Sequence, residues 1–188
     1  MPLRPAILRA VLQIVGDEGW HGLTMRKIAE HIRYSPPMIY AVFESKEAIC
    51  AELTADGYQL LYRHMSAGAA GLTDPVKRLS ALLRAFRTFA WEHPAYYQSM
   101  YGLAGTARPG EAGRRGDYEA ACLGLVGDAL LQANLHGGSL PPLQAARALL
   151  AAAHGVIAMH LSGLVTDQRE ADAMYDAVLT GLLSGWGH

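Results

Sequence analysis

Residues Thr24 to Glu47, TMRKIAEHIRYSPPMIYAVFESKE, carry three helix starts in a short span. Thr24, Ser35 and Ser45 have side chains suited to accept a hydrogen bond from a first-turn N–H, and each is expected to cap a helix. Pro36 and Pro37 suit a first turn, where a missing N–H costs nothing. Glu47 lies where the positive end of a helix favours a carboxylate. Between the first two caps, Met25, Ile28, Ala29 and Ile32 recur at the helical period and form one apolar face. Such a stretch folds as two short helices across a tight polar turn, with a third helix beginning at Ser-Lys-Glu. That is a helix-turn-helix, a unit that lays its second helix in the major groove of DNA.

The rest of the chain has the same period, and no stretch alternates as a strand does. The expected fold is all-α, with about nine helices. The first runs from about Leu3 to Asp17 and stops at Gly19; the fourth reaches about Ala67. Asp74 caps a fifth helix, opened by Pro75 and running to His93, and Pro94 begins a sixth over PAYYQSMY. Gly102–Gly116 reads as a mobile connection. A seventh helix to about Leu135, a break at HGGSLPP, an eighth over Leu140–Leu164 and a ninth over Arg169–Trp186 complete the pattern. The expected partition is a helix-turn-helix domain over 1–47 and a larger helical domain over 48–188.

With 51% hydrophobic and 18% charged residues, the chain has enough apolar content to fold. Its net charge of −1 provides no overall basic field. Two distant cysteines, Cys50 and Cys122, fit a reduced, cytoplasmic setting better than a disulfide scaffold. Arg9 interrupts the first apolar run and no small-residue cleavage site follows, so a signal peptide is not expected. Ala148–Val165 is free of charge, but its alanines, glycines, serine and two histidines fit a helix buried in a bundle better than a membrane span. No two histidines stand three or four apart, and there is neither a phosphate loop nor a Gly-x-Ser-x-Gly elbow. The expectation is therefore a non-catalytic protein that needs no metal or cofactor.

Gly19, Leu23, Thr24, Ile28, Ala29, Ser35, Ile39, Tyr40, Phe43, Ser45, Lys46 and Glu47 match in order and spacing the helix-turn-helix pattern of one family. On these residues the chain resembles the TetR family of bacterial transcriptional regulators. Over the C-terminal part, HPAYYQSMYG and His154-Gly155 are similar to a subgroup with a Trp-His-Gly signature in its regulatory domain. Ala153 stands at the place of the Trp. Two departures lie in the head. Arg33 replaces the turn glycine, which costs about 1–2 kcal/mol if the left-handed turn is kept. Val42 stands where a phosphate-contacting His or Tyr is usual. These departures predict weaker DNA binding.

The resemblance implies that Thr24, Tyr40 and Lys46 anchor phosphates. A hydroxyl at a helix start, a phenol and an ammonium all suit phosphate oxygens. Arg26 is placed for a backbone contact as well, and Arg33 has the reach for one. By spacing, Ser35, Pro36, Pro37, Met38 and Ala41 face the groove. So apolar a set predicts contacts with thymine methyls and readout of DNA shape, with few bidentate hydrogen bonds to bases.

The resemblance further implies a ligand pocket within helices 4 to 7 and a homodimer seam on helices 8 and 9. Trp91, Tyr96, Tyr97, Met100, Tyr101, Cys122, His154 and Met159 are the candidate pocket residues, because aromatics with a few polar tips suit an apolar or aromatic effector. Met174, Tyr175, Val178, Leu179, Leu182, Leu183 and Trp186 give the last helix a broad apolar face, for which a two-fold partner is the natural cover. The expected function is a dimeric repressor, bound to a palindromic double-stranded DNA operator and released by a small molecule. The alternative is a helical small-molecule-binding protein with no role on DNA.

Overall fold

The computed structural model describes residues 2–103, 114–135 and 140–187. Among them are helices α1 (Leu3–Glu18), α2 (Met25–Ile32), α3 (Pro36–Tyr40), α4 (Lys46–Gly68), α5 (Pro75–Glu92), α6 (Pro94–Met100), α7 (Arg114–Gln132), α8 (Pro142–Leu161) and α9 (Gln168–Trp186). A 3-10 turn covers Trp20–Gly22, and no strand occurs among the described residues. Packing separates two units, Met1–Tyr58 with His93–Arg115, and Gln59–Glu92 with Gly116–His188.

The first unit is built on one apolar cluster. α1 contributes Ile7, Val11, Ile14 and Val15, α2 Ile28 and Ala29, α3 Ile39, and the start of α4 Ile49, Cys50 and Leu53. Trp20, Leu23 and Phe43 fill the corners, and Ala95 and Tyr96 of α6 pack against the outside. The packing unit therefore extends beyond residue 47, because α4 and α6 bury side chains in the same core as the three N-terminal helices. Gly19 ends α1 at φ 74, ψ 172, a conformation that favours glycine. Thr24 Oγ1 accepts from the Lys27 N–H at 3.1 Å, and Ser45 Oγ accepts from the Ala48 N–H at 3.2 Å, as the caps predict. The Glu47 carboxyl is held below its ordinary range by its own backbone N–H and by Ser45.

Ser35 occupies the N-cap of α3 in an extended conformation, but its side chain makes no capping hydrogen bond. Prolines fill the first two helical positions, and the Met38 N–H donates to the Ser35 carbonyl at 3.0 Å. The donors that the hydroxyl would serve are absent or already taken.

In the second unit, α5 buries Leu79, Leu82, Leu83, Ala85, Phe86, Phe89 and Ala90. α8 buries Ala145, Ala146, Leu149, Leu150, Ala153, Val156 and Ile157, and α9 buries Ala171, Tyr175 and Leu179. Asp74 Oδ1 accepts from the Val76 and Lys77 N–H groups at 2.9 and 3.0 Å, so it caps α5 as expected. The Tyr175 hydroxyl donates to the Leu83 carbonyl at 2.7 Å and ties α9 to α5. Arg87 on α5 reaches Asp172 at 3.4 Å and Asp176 at 3.1 Å on α9, with its guanidinium 5.1 Å from the Tyr175 ring centre.

Several helix ends fall inside the expected ones. α5 stops at Glu92, because His93 precedes a proline and leaves the helical region at φ −131, ψ 53. α7 stops at Gln132, where Asn134 turns left-handed at φ 54 and the Leu135 N–H closes onto the Leu130 carbonyl at 3.0 Å. α8 begins at Pro142, after an extended Pro141, and ends at Leu161. Gly163 at φ 78 lets the Leu164 N–H reach the Met159 carbonyl at 3.0 Å. The expected connection over 102–116 lies mostly outside the described residues, and its last positions, from Arg114, are helical. Much of the HGGSLPP break is likewise outside them.

Candidate nucleic-acid interface

α3 is five residues long and buries one side chain fully. Ile39 is 0% exposed, whereas Met38 and Tyr40 beside it are 45% and 53% exposed. Ser35, Pro36, Pro37 and Ala41 are exposed as well, so all the side chains expected to face a groove lie open. Tyr34, not among the residues expected to face the groove, is 42% exposed directly before the cap. An aromatic next to an N-cap and outside the apolar period was the signal for it.

Arg33 takes the left-handed conformation at φ 59, ψ 44, so the turn keeps the shape a glycine would give it. Its N–H donates to the Glu30 carbonyl at 3.2 Å, and the Tyr34 N–H donates to the Ala29 carbonyl at 2.9 Å. These bonds form the double closure common at helix C-termini. The Arg33 side chain is exposed.

The remaining phosphate candidates differ in how far they are already engaged. Thr24 accepts one bond at its hydroxyl oxygen and keeps the hydroxyl proton for an outside acceptor. Arg26 points into solvent, its side chain 82% exposed, and donates from Nε to Glu30 at 2.7 Å. That hydrogen bond and the nearby carboxylate charge raise its pKa further. Glu30 therefore offsets much of the charge that Arg26 brings to this face. Lys46 Nζ donates to the Trp20 carbonyl at 3.1 Å, which leaves two of its three N–H groups for other partners. Lys27, which was not singled out from the sequence, is ion-paired with Glu18.

The eight candidate ligand residues divide between the units. Tyr96, Tyr97, Met100 and Tyr101 lie in the first. Tyr97 and Met100 are buried, and the Tyr97 and Tyr101 rings are 4.6 Å apart. Tyr58 joins them, its ring centre 6.2 Å from that of Tyr101. Burial, with Asp56 behind it, raises the Tyr96 phenol. A Cβ at Gly57 would stand 2.7 Å from Met100 Sδ, so α6 lies as close to α4 as a glycine allows. Thr54 Oγ1 and Ser99 Oγ meet at 2.9 Å in the buried contact between these two helices.

Trp91, Cys122, His154 and Met159 lie in the second unit. Trp91 Nε1 donates to Asp172 at 3.3 Å, and its ring meets His160 edge-on at 4.7 Å. Burial, followed by the Glu119 charge, pushes the Cys122 thiol up to about 12. Burial also lowers the His154 pKa. Met159 is 39% exposed. Tyr62 and Tyr118, missed from the sequence, meet with their rings tilted and their centres 5.8 Å apart, and Gln59 donates to the Tyr118 hydroxyl at 3.1 Å. Their helices begin and end far apart in sequence, so spacing alone gave no sign of the pairing.

On α9, Tyr175 and Leu179 are buried, Val178 is exposed, and Met174, Leu182, Leu183 and Trp186 are partly exposed. The broad apolar face thus splits into an inner part and an outer part. A Cβ at Gly155 of α8, or at Gly181 or Gly185 of α9, would meet nothing within 4 Å. Among the described residues, no helix is long and apolar enough to cross a membrane.

Comparison with known proteins supplies a family. A family model described as bacterial regulatory proteins, tetR family, matches residues 7–53. Another, described as tetracyclin repressor-like, C-terminal domain, matches residues 79–182. The HTH-type transcriptional regulator BetI of Rhizobium meliloti (strain 1021) is 32% identical over 104 residues, covering 54% of this chain and 51% of BetI. The chain spans about half the length of BetI and of another curated relative, YobS of Bacillus subtilis (strain 168). A solved structure of a protein of unknown function from Rhodococcus sp. RHA1 superposes with a TM-score of 0.79 at 21% identity, covering 100% of this chain and 97% of that one. AibR, solved in complex with isovaleryl coenzyme A and operator DNA, superposes at 0.65 with 20% identity, covering 93% of this chain and 96% of AibR. At such identities the likeness is one of fold. The two family models fall on the helix-turn-helix and on the larger helical region, and the C-terminal one alone takes in more than half of the residues: the chain belongs to the TetR family of bacterial regulatory proteins.

Proposed function

We propose that the protein is a homodimeric transcriptional repressor, cytoplasmic and non-catalytic, that binds a palindromic operator and is released by a small molecule. In this reading residues 1–47 carry the DNA contacts, and residues 48–188 carry the effector site and the dimer seam. The observation that carries it is the division on α3, where Ile39 is fully buried while Met38, Tyr40 and Ala41 stand open. A five-residue helix that exposes so much apolar surface gains from a surface to read, and the major groove offers thymine methyls to it. Thr24, Tyr40 and Lys46 anchor phosphates on either side, with Arg26 and Arg33 adding charge. α8 and α9 pair with the same helices of a second copy, which sets the two reading helices one turn of DNA apart, about 34–36 Å.

The effector is apolar or aromatic; the candidates to hold it are Tyr96, Tyr97, Met100 and Tyr101 in the first unit and Trp91, Cys122, His154 and Met159 in the second. AibR, similar in fold, was solved with both an acyl thioester and operator DNA. That pairing supports a DNA-binding regulator that also takes a small-molecule ligand. A ligand acts only by its differential affinity for the DNA-bound and released forms.

The test is selection of duplexes from a random-sequence pool by the purified protein, followed by anisotropy titration of the winning duplex. Enrichment of a two-fold symmetric site, bound by two chains, is the expected result. A pool that yields no preferred sequence at low salt would leave the ligand-carrier reading in its place. Isovaleryl coenzyme A and free aromatic acids are the first effectors to add, and release of the duplex is the outcome sought.

A further inference from the structure

Arg4, in the first turn of α1, is engaged on three sides. It is ion-paired with Glu52 on α4. Its Nη2 donates to the Val42 carbonyl at 3.4 Å. Its guanidinium carbon lies 4.5 Å from the centre of the Phe43 ring. One side chain thus joins the start of α1, the turn that leaves α3, and α4. Together with Tyr40 and Ala41, these residues line a hollow of about 360 Å³ beside the end of α3.

The turn after α3 is held on its inner side by Phe43, which is buried in the core, and Arg4 engages its outer side. α3 is five residues long, too short for its own hydrogen bonds to hold it firmly. Its internal bonding ends with the Val42 and Phe43 N–H groups on the Ile39 carbonyl, at 3.0 and 2.9 Å. Val42 lies just past the C-cap Ala41, and Arg4 donates to its carbonyl. The Arg4 side chain is 52% exposed, and an ion pair so open to water adds little to folding. A planar guanidinium nevertheless orients two acceptors and a ring at once, and a lysine has no such fork.

We propose that Arg4 is a positioning residue for DNA reading. It holds the exit of α3 against α4, so that the exposed Pro36–Ala41 face meets the duplex at one fixed angle. Arg4 itself does not grip a phosphate. The proposal rests on the DNA-binding function above, and it assigns to the start of α1 a task that lies outside the helix-turn-helix.

The test uses the full-length protein and the duplex selected by the wild type. Arg4→Ala, Glu52→Gln and the double variant are titrated by anisotropy across a salt series, with dimer state and thermal midpoint measured alongside. Each single variant is expected to lose roughly tenfold in affinity at every salt concentration, with the slope of log K against log salt unchanged. The double variant is expected to lose no more than either single one, because both break the same tie. If Arg4→Ala instead flattens the salt slope by about one unit per head while Glu52→Gln binds as the wild type does, Arg4 is a phosphate ligand and the proposal falls. It falls too if both variants bind as the wild type does, or if both are unfolded at the assay temperature, which would make the pair a determinant of folding. A wild type that selects no duplex sinks the function itself, an outcome distinct from all of these.

Discussion

At the scale of single residues, the head carries one conformational cost in plain view. Arg33 holds a left-handed turn at φ 59, where a glycine would be at ease. An Arg33→Gly variant should be more stable by about 1 kcal/mol, a rise of about 2–4 °C in the thermal midpoint. Because the turn already keeps the glycine shape, the reshaping expected to weaken binding is absent and the variant removes only a charge: it should bind the operator more weakly, with a salt slope flatter by about one unit per head if Arg33 meets a phosphate. Stability rising while affinity falls would separate the backbone effect of this residue from its charge. A midpoint that drops would show the arginine to be doing something in the fold that its exposed side chain does not reveal.

His154 gives a pH dependence whose sign follows from burial. Its folded pKa lies below the ordinary 6.5, because burial penalises the charged ring. The unfolded chain takes up a proton near that pH and the folded chain does not. The stabilising contribution is therefore complete above about pH 6.5 and is lost as the pH falls through the folded value. A His154→Gln variant should decline less steeply than the wild type between about pH 6.5 and 5, read as thermal midpoint against pH. Superimposable profiles would mean that the ring is more solvated than its surroundings imply.

At the scale of elements, α3 is where structure and function meet. Met38→Asp puts a carboxylate on the exposed surface proposed to meet the groove, without touching Ile39 or the core. Operator affinity should fall by about a hundredfold or more from charge repulsion and loss of methyl contacts, at an unchanged thermal midpoint. Anisotropy and calorimetry together check it, and an equal loss in both would point to misfolding instead. The existence and order of the helices were legible in the sequence, because caps, prolines and a 3.6-residue period are local signals. The caps at Thr24, Ser45 and Asp74 act as written. Most of what could not be read depends on partners distant along the chain. The Tyr62–Tyr118 ring contact and Arg4 reaching Glu52 depend on tertiary geometry. So does the packing of α6 against the head. Asn134 stopping α7, by contrast, is a local closure that the apolar period overran.

At the scale of the whole molecule, the glycines on the outer faces of α8 and α9 provide a test of assembly. A side chain at Gly181 meets nothing in a single chain. In an isolated chain Gly181→Leu should therefore stabilise α9, by roughly 1 kcal/mol on helix propensity. In a tight dimer the same leucine should push the partner away. Sedimentation should find monomers at concentrations where the wild type is dimeric, and operator affinity should fall with them. An unaltered dimer would move the seam off this face. For the proposed dimer, Arg26, Arg33 and Lys46 are the candidate phosphate-binding cations in each head, and Glu30 already offsets Arg26. A salt slope no steeper than about −5 is expected, and a markedly steeper one would contradict the weakened binding inferred from Val42 at a usual phosphate-contact position.

The apolar cluster of the head has a practical corollary for anyone recombining such proteins. Ile49, Cys50 and Leu53 sit inside it, and Ala95 and Tyr96, from some forty positions further along, seal its flank. Cut the gene after codon 47 and the excised piece would expose its own interior to water. The reader of DNA here is not a detachable cassette: a chimera that borrows it must also carry the opening turns of α4 and the stretch around α6, or supply side chains of matching bulk from the host.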